Sequence, residues 1–144
     1  GNKILKMVSE RICSSLRDYD TVARFSGDEF VLIFENITDE IAAKVLAKRI
    51  NNLFVESFKL EGNDIYLNIN QGLSFFPSDA NDPKTLIKHA NLAMNYAKKK
   101  KAPYQIFTAS LSDELTNKAI LETNLKKAIK NREFFIKYQP QVDA

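Results

Sequence analysis

The 144-residue sequence is 44% hydrophobic with a formal net charge of +3, enough apolar content for one domain with a real core. The basic excess gathers in Lys98 to Lys101 and in Lys126 to Arg132 rather than over one broad face, so no nucleic-acid surface is expected. No apolar run approaches bilayer length, the first residues lack the order of a signal peptide, and Cys13, the only cysteine, excludes an internal disulfide and fits a reducing compartment.

Ile4, Val8, Ile12 and Leu16 recur every four residues, which predicts a helix from about Asn2 to Arg17, with Cys13 packed beside the stripe. Asp18, Tyr19 and Asp20 end it. Thr21 to Phe25 and Phe30 to Glu35 are β-rich runs separated by Ser26-Gly27-Asp28, a β-hairpin pattern. Phe30 to Phe34 is apolar without alternation, which predicts a strand covered on both faces. Thr38 is the expected N-cap of a helix running to about Phe58, in which Arg49 is the single polar intruder on the apolar side.

Glu61 to Asp64 form a predicted turn, followed by a long strand from Ile65 to Phe76 that Pro77 closes. Asp82-Pro83 starts a helix whose Leu86, Ile87, Ala90, Met94 and Ala97 face one way, and the lysine run sits at the negative end of its dipole. His89 on this helix has no second metal-type ligand nearby and is read as structural. After Pro103 come a short strand, Tyr104 to Phe107, a helix from Leu111 to Asn131, and a strand from Phe134 to Tyr138. Mixed order with a central hairpin predicts an α+β sheet with helices packed on it.

The hairpin tip concentrates chemistry. Asp28 and Glu29 are adjacent acids beside a residue without a side chain, so backbone and carboxylates can approach a ligand together. Such a pair suits Mg²⁺, which takes one or two carboxylates and fills its shell with phosphate oxygens. On chemistry alone a solvated acidic turn is the more frequent meaning of Gly-Asp in a hairpin.

Arg24-Phe25-Ser26-Gly27-Asp28-Glu29-Phe30 is similar to the signature Gly-Gly-Asp/Glu-Glu-Phe of the GGDEF, or diguanylate cyclase, family. Gly1-Asn2-x-Ile4-Leu5 resembles that family's Gly-Asp-x-Leu-Leu helix start, and Ala90-Asn91-x-Ala93-Met94-x-x-Ala97-Lys98 resembles its Ala-Asp-x-Ala-Leu-Tyr-x-Ala-Lys helix. The resemblance implies a nucleotidyl-cyclase-like (ferredoxin-like) mixed sheet with flanking helices, lacking its first strand in this chain. It makes Asp28 a catalytic metal ligand near the GTP phosphates and Glu29 its acidic catalytic neighbour. Ser26 and Gly27 become close-approach backbone, Asn2 occupies the guanine-contacting position, and Lys98 becomes a phosphate contact. Mg²⁺ is the implied cofactor.

Departures from the family pattern weigh against catalysis. Asn2 replaces an aspartate that accepts from guanine, and an amide offers one acceptor and no charge. Ala102 replaces an arginine that would hold phosphate oxygens, Ser26 replaces the first glycine, and Asn70 and Asn91 replace the common serine and aspartate. A further metal-binding aspartate and a guanine-reading asparagine belong to family segments that precede Gly1.

Arg17-x-x-Asp20, with Arg17 nine residues before Ser26, lies where the family carries its inhibitory cyclic-di-GMP site. An arginine can stack on guanine or fork to it, and an aspartate can accept from its N1 and N2. A surface ion pair or a dipole-satisfying arginine is the plainer alternative.

Leu125, Ala128, Ile129 and the run Phe134 to Asp143 resemble the start of an EAL phosphodiesterase domain, whose first strand reads Phe-x-x-Tyr-Gln-Pro-Gln-Val-Asp. The expected organisation is a partial GGDEF domain over residues 1–108, a connecting helix over 109–133, and the truncated first EAL strand over 134–144. The implied function is a degenerate module that binds GTP or cyclic-di-GMP and regulates the attached EAL domain in a bacterial cytoplasm, with any membrane anchor of the parent protein elsewhere. A working diguanylate cyclase in the full-length protein is the second reading. A ferredoxin-like RNA or protein interaction module is the third, for which Tyr66 is the one good exposed-aromatic candidate. Without a central first strand, two apolar edges would invite Phe134 to Tyr138 of the same or another chain, giving a homodimer by strand exchange.

Overall fold

A computed structural model of the chain describes residues 2–133. Gly1, the predicted strand Phe134 to Tyr138 and the rest of the EAL-like run lie outside the described residues. The chain divides into two compact units, residues 1–107 and 108–144.

In the first unit the elements run α1 (Asn2–Cys13), β1 (Thr21–Ser26), β2 (Glu29–Ile33), α2 (Glu40–Asn52), β3 (Phe58–Leu60), β4 (Asn63–Ile65), β5 (Gln71–Leu73), α3 (Pro83–Lys100) and β6 (Tyr104–Ile106). This is mixed α/β architecture with small sheets and flanking helices. The described strands form three two-stranded sheets: β1 antiparallel to β2, β3 antiparallel to β4, and β5 parallel to β6. A parallel pair needs a crossover connection, and α3 supplies it.

The core begins at α1. Val8 and Ile12 point inward with Phe54 and Phe58, and the cluster is flanked by Phe30 and Leu32 from β2 and by Ile65, Leu67 and Ile69. The predicted alternation is visible there, since Ile65, Leu67 and Ile69 are half-buried while Tyr66 and Asn68 are exposed. Arg11 ties this core together from its edge. Its guanidinium donates to the backbone oxygens of Leu53, Glu56 and Ser57 at 2.9, 2.8 and 2.9 Å and lies 3.5 Å from the centre of the Phe58 ring.

The α3 helix lies directly on β5. Gly72 makes this possible, because a Cβ at that position would sit 1.9 Å from the Ala90 carbonyl oxygen and 2.4 Å from the Met94 nitrogen. Ala93 and Ala97 are the fully buried residues of the helix. Side chains fasten the strand on either side: Ser74 Oγ donates to Leu86 O, Gln71 Nε2 to Ala47 O, and Asn70 Nδ2 to Ala102 O. His89 stacks on Phe107 with ring centres 3.8 Å apart, in keeping with a structural role.

Several predicted boundaries move. α1 stops at Cys13 rather than Arg17 because Ser14 and Ser15 turn their hydroxyls back onto the Arg11 and Ile12 carbonyls, competing with helix continuation. Cys13 itself is exposed rather than packed, one residue off the buried Val8–Ile12 line. The α2 N-cap is Asp39, whose carboxylate accepts from Ala42 N at 2.7 Å, not Thr38. That helix ends at Asn52 rather than near Phe58, and Phe58 to Leu60 is a strand paired with β4 through a turn in which Glu61 and Gly62 both have positive φ. Of the long strand Ile65 to Phe76 only Ile65, at the end of β4, and β5 are strand, since residues 66–70 have no ladder partner among the described residues. β2 is not covered on both faces: Ile33 is 56% exposed, and β2 pairs only with β1 among the described residues.

Asp82 caps α3, accepting from Thr85 N at 2.9 Å. Hydrogen bonding with Thr85, helped by Lys84 N and the nearby His89, holds its carboxyl below the usual carboxylate range. A lowered folded value means the cap stabilises above the unfolded carboxyl's titration, near pH 3.9, and is lost as pH falls through the folded value. Asp82→Ala is therefore expected to lower Tm at pH 7, with the gap to wild type closing as the pH drops below about 3.9. A gap of constant size down to acid pH would contradict this.

The second unit contains α4 (Ala109–Lys130). Thr108 caps it, its hydroxyl oxygen accepting from Leu111 N. At its far end Arg132 N donates to Ile129 O and Glu133 N to Ala128 O, with Arg132 at φ 57, a Schellman ending. Among the described residues no helix is long and apolar enough to cross a membrane.

Candidate functional site

The hairpin tip is built by β1 and β2. Register pairs Arg24 with Phe30 and Ser26 with Glu29, and the irregularity between Arg24 and Ser26 is a bulge that re-aims the strand just before the turn. Gly27 and Asp28 are the two loop residues. Gly27 takes φ 52 with nothing within 4 Å of an added Cβ, so glycine serves backbone conformation here rather than space. Arg24 donates from Nε and Nη2 to the Gly27 carbonyl at 2.9 and 2.7 Å.

The structure thus brings Ser26, Gly27, Asp28 and Glu29 together at one exposed turn, with Asp28 exposed and Glu29 half-buried. Asn2, at the start of α1, and Lys98, in the last turn of α3, are both exposed, and among the described residues no hydrogen bond or ion pair joins either to the tip. α3 ends in a left-handed Lys101, with Ala102 N donating to Ala97 O. The described residues contain no group of three or more His, Cys, Asp or Glu side chains able to hold a metal. Two adjacent carboxylates nonetheless fit Mg²⁺, which keeps water or phosphate on its remaining positions, and they do not fit a metal that needs a closed protein cage.

The second locus follows α1. Arg17 N donates to the Asp20 carboxylate at 3.0 Å, and Asp20 N donates back to Arg17 O at 3.0 Å, closing a reciprocal turn. The Arg17 guanidinium donates to the Tyr19 hydroxyl at 2.8 Å and stays exposed. Arg17 and Asp20 are thus brought together through backbone, leaving a guanidinium and a phenol on the same turn.

The family model described as "Diguanylate cyclase, GGDEF domain" matches residues 1–103. The chain belongs to the GGDEF family. Among curated relatives it is 34% identical over 141 residues to "Cyclic di-GMP phosphodiesterase NbdA" of Pseudomonas aeruginosa, covering 97% of this chain and 18% of that protein. It is 29% identical over 143 residues to "Bifunctional diguanylate cyclase/cyclic di-GMP phosphodiesterase MucR" of the same organism, covering 99% of this chain and 21% of the relative. The chain therefore spans about a fifth of the length of these relatives. The GGDEF domain of Pseudomonas aeruginosa TpbB (YfiN), solved as an N-terminally shortened form, superposes with TM-score 0.74 at 25% identity, covering 78% of this chain and 67% of that one. Both of these curated relatives carry names of cyclic-di-GMP enzymes.

Sequence reasoning missed two participants. Arg24 was visible only as the residue before the signature, and its fork onto Gly27 depends on a bulge that no letter pattern announces. Tyr19 was read as a helix terminator. Its position between Arg17 and Asp20 was the available signal, because a tight turn brings neighbouring side chains within reach.

Proposed function

We propose that this GGDEF domain is a degenerate regulatory module that binds GTP or cyclic-di-GMP and controls an attached EAL phosphodiesterase. The observation that carries it is the reciprocal Arg17–Asp20 turn, which sets a carboxylate, an exposed guanidinium and a phenol on one small surface. A guanine offers a π-face and N–H donors to such a set. The name of NbdA, a cyclic-di-GMP phosphodiesterase similar over nearly all of this chain, supports a regulatory place beside such an activity.

The hairpin tip favours a second reading, a working diguanylate cyclase in the full-length protein, and MucR carries a bifunctional name. In either reading Asp28 and Glu29 would hold Mg²⁺, which would neutralise phosphate charge there. Asn2 and Ala102 favour the regulatory reading, because phosphoryl transfer depends on positioning and charge stabilisation that an amide and a methyl at these positions supply less of than an aspartate and an arginine. Incubation of the chain with GTP and Mg²⁺ is expected to give no cyclic-di-GMP above an Asp28→Ala control. Product above that control would replace the regulatory reading with the catalytic one.

A further inference from the structure

Arg24 supplies something the tip residues do not provide for themselves. Both arms of one guanidinium edge converge on a single carbonyl, Gly27 O, at 2.9 and 2.7 Å. An acceptor held by two donors from one rigid plane is fixed in direction as well as distance. The peptide unit is planar and trans, so the Gly27 carbonyl and the Asp28 N–H point in opposite directions. Holding the carbonyl toward Arg24 therefore aims the Asp28 N–H away from it. Without that hold the unit could flip by rotating Gly27 ψ and Asp28 φ, because the positive φ of Gly27 suits both primed hairpin turns and aspartate tolerates a positive φ at the second loop position.

We propose that Arg24 is a positioning residue that locks the Gly27–Asp28 peptide in one orientation, presenting the Asp28 N–H and carboxylate together to the phosphates of a Mg²⁺-bound guanine nucleotide. The ligand half of this rests on the nucleotide-binding reading above. The bulge between Arg24 and Ser26 is what turns the guanidinium onto the loop, and the Ser26–Glu29 pair closes the ladder beneath it. A lysine at position 24 keeps the charge but cannot grip one carbonyl with two arms from a plane.

The test compares isotope-labelled wild-type chain with Arg24→Lys by NMR. Without ligand, residual dipolar couplings of the Asp28 N–H and the Gly27 carbonyl carbon are expected to report one orientation in wild type and averaged values in Arg24→Lys, while the rest of the hairpin keeps its couplings. With Mg²⁺ and GTP, the Asp28 amide resonance is expected to shift in wild type, and Arg24→Lys is expected to weaken binding at least about tenfold, with Tm nearly unchanged. Identical couplings in the two proteins, or equal affinity, would overturn the proposal. A lower Tm with couplings and affinity intact would also overturn it, assigning Arg24 to hairpin stability alone. Failure of wild type to bind Mg²⁺ and GTP would overturn the nucleotide reading, and the ligand-free couplings would then decide by themselves whether Arg24 holds the peptide.

Discussion

Gly72→Ala is expected to destabilise the domain by about 3 kcal/mol or more, at the upper end of what overpacking costs. Ordinarily the same change stabilises by about 0.4–1 kcal/mol, because alanine restricts the unfolded chain. Here the sign reverses because the new methyl carbon would sit 1.9 Å from the Ala90 carbonyl oxygen, and backbone on both sides must move to admit it. α3 cannot simply lift away, since Ser74, buried Ala93 and buried Ala97 hold it on the strand. Against a typical domain stability of about 5–15 kcal/mol the loss is a large fraction. Urea denaturation measures it directly. A variant as stable as wild type would mean that α3 does not lie on β5 at this distance.

Arg11→Ala is the second large effect, with an expected loss of about 2–4 kcal/mol from hydrogen bonds by a charged donor and from the ring contact. Three backbone oxygens just beyond the end of α2 share this guanidinium, and each would be left without its charged partner. The range is set below the sum of separate bonds because the side chain is only half-buried and water replaces part of what is lost. Arg11→Lys should recover only a minor part, since a single ammonium cannot reach all three oxygens in fork geometry. Full recovery by lysine would show that charge near the helix end, not the fork, supplies the stability.

Much of the GGDEF fold was legible because it rests on periodicity and punctuation. The α1 stripe, the Ser26-Gly27-Asp28 hairpin, the Asp82-Pro83 start of α3 and the turn at Glu61-Gly62 all appear where the residues place them. What was not legible depends on partners remote in sequence. The helical apolar pattern of α2 carries on to about Phe58, yet Phe58 is drawn into the α1 core and pairs with Ile65 instead. Ile65 to Ile69 alternates as a strand should, but pairing, which sequence does not show, ends the ladder early. At the candidate sites the residues were readable and their local geometry was not. The Arg17 and Asp20 letters gave a location, while the reciprocal backbone bonds and the Tyr19 hydroxyl came only with the turn.

The most direct test of the regulatory reading is calorimetric titration of cyclic-di-GMP into the wild-type chain and into Arg17→Ala. Asp20 is anchored to Arg17 through backbone, so removing the guanidinium should leave the turn and Tm intact while deleting the group proposed to meet the nucleotide. The expected result is saturable binding by wild type and none by Arg17→Ala. No binding by wild type, or binding unchanged in the variant, would contradict the account and leave Arg17 and Asp20 as an ordinary surface turn.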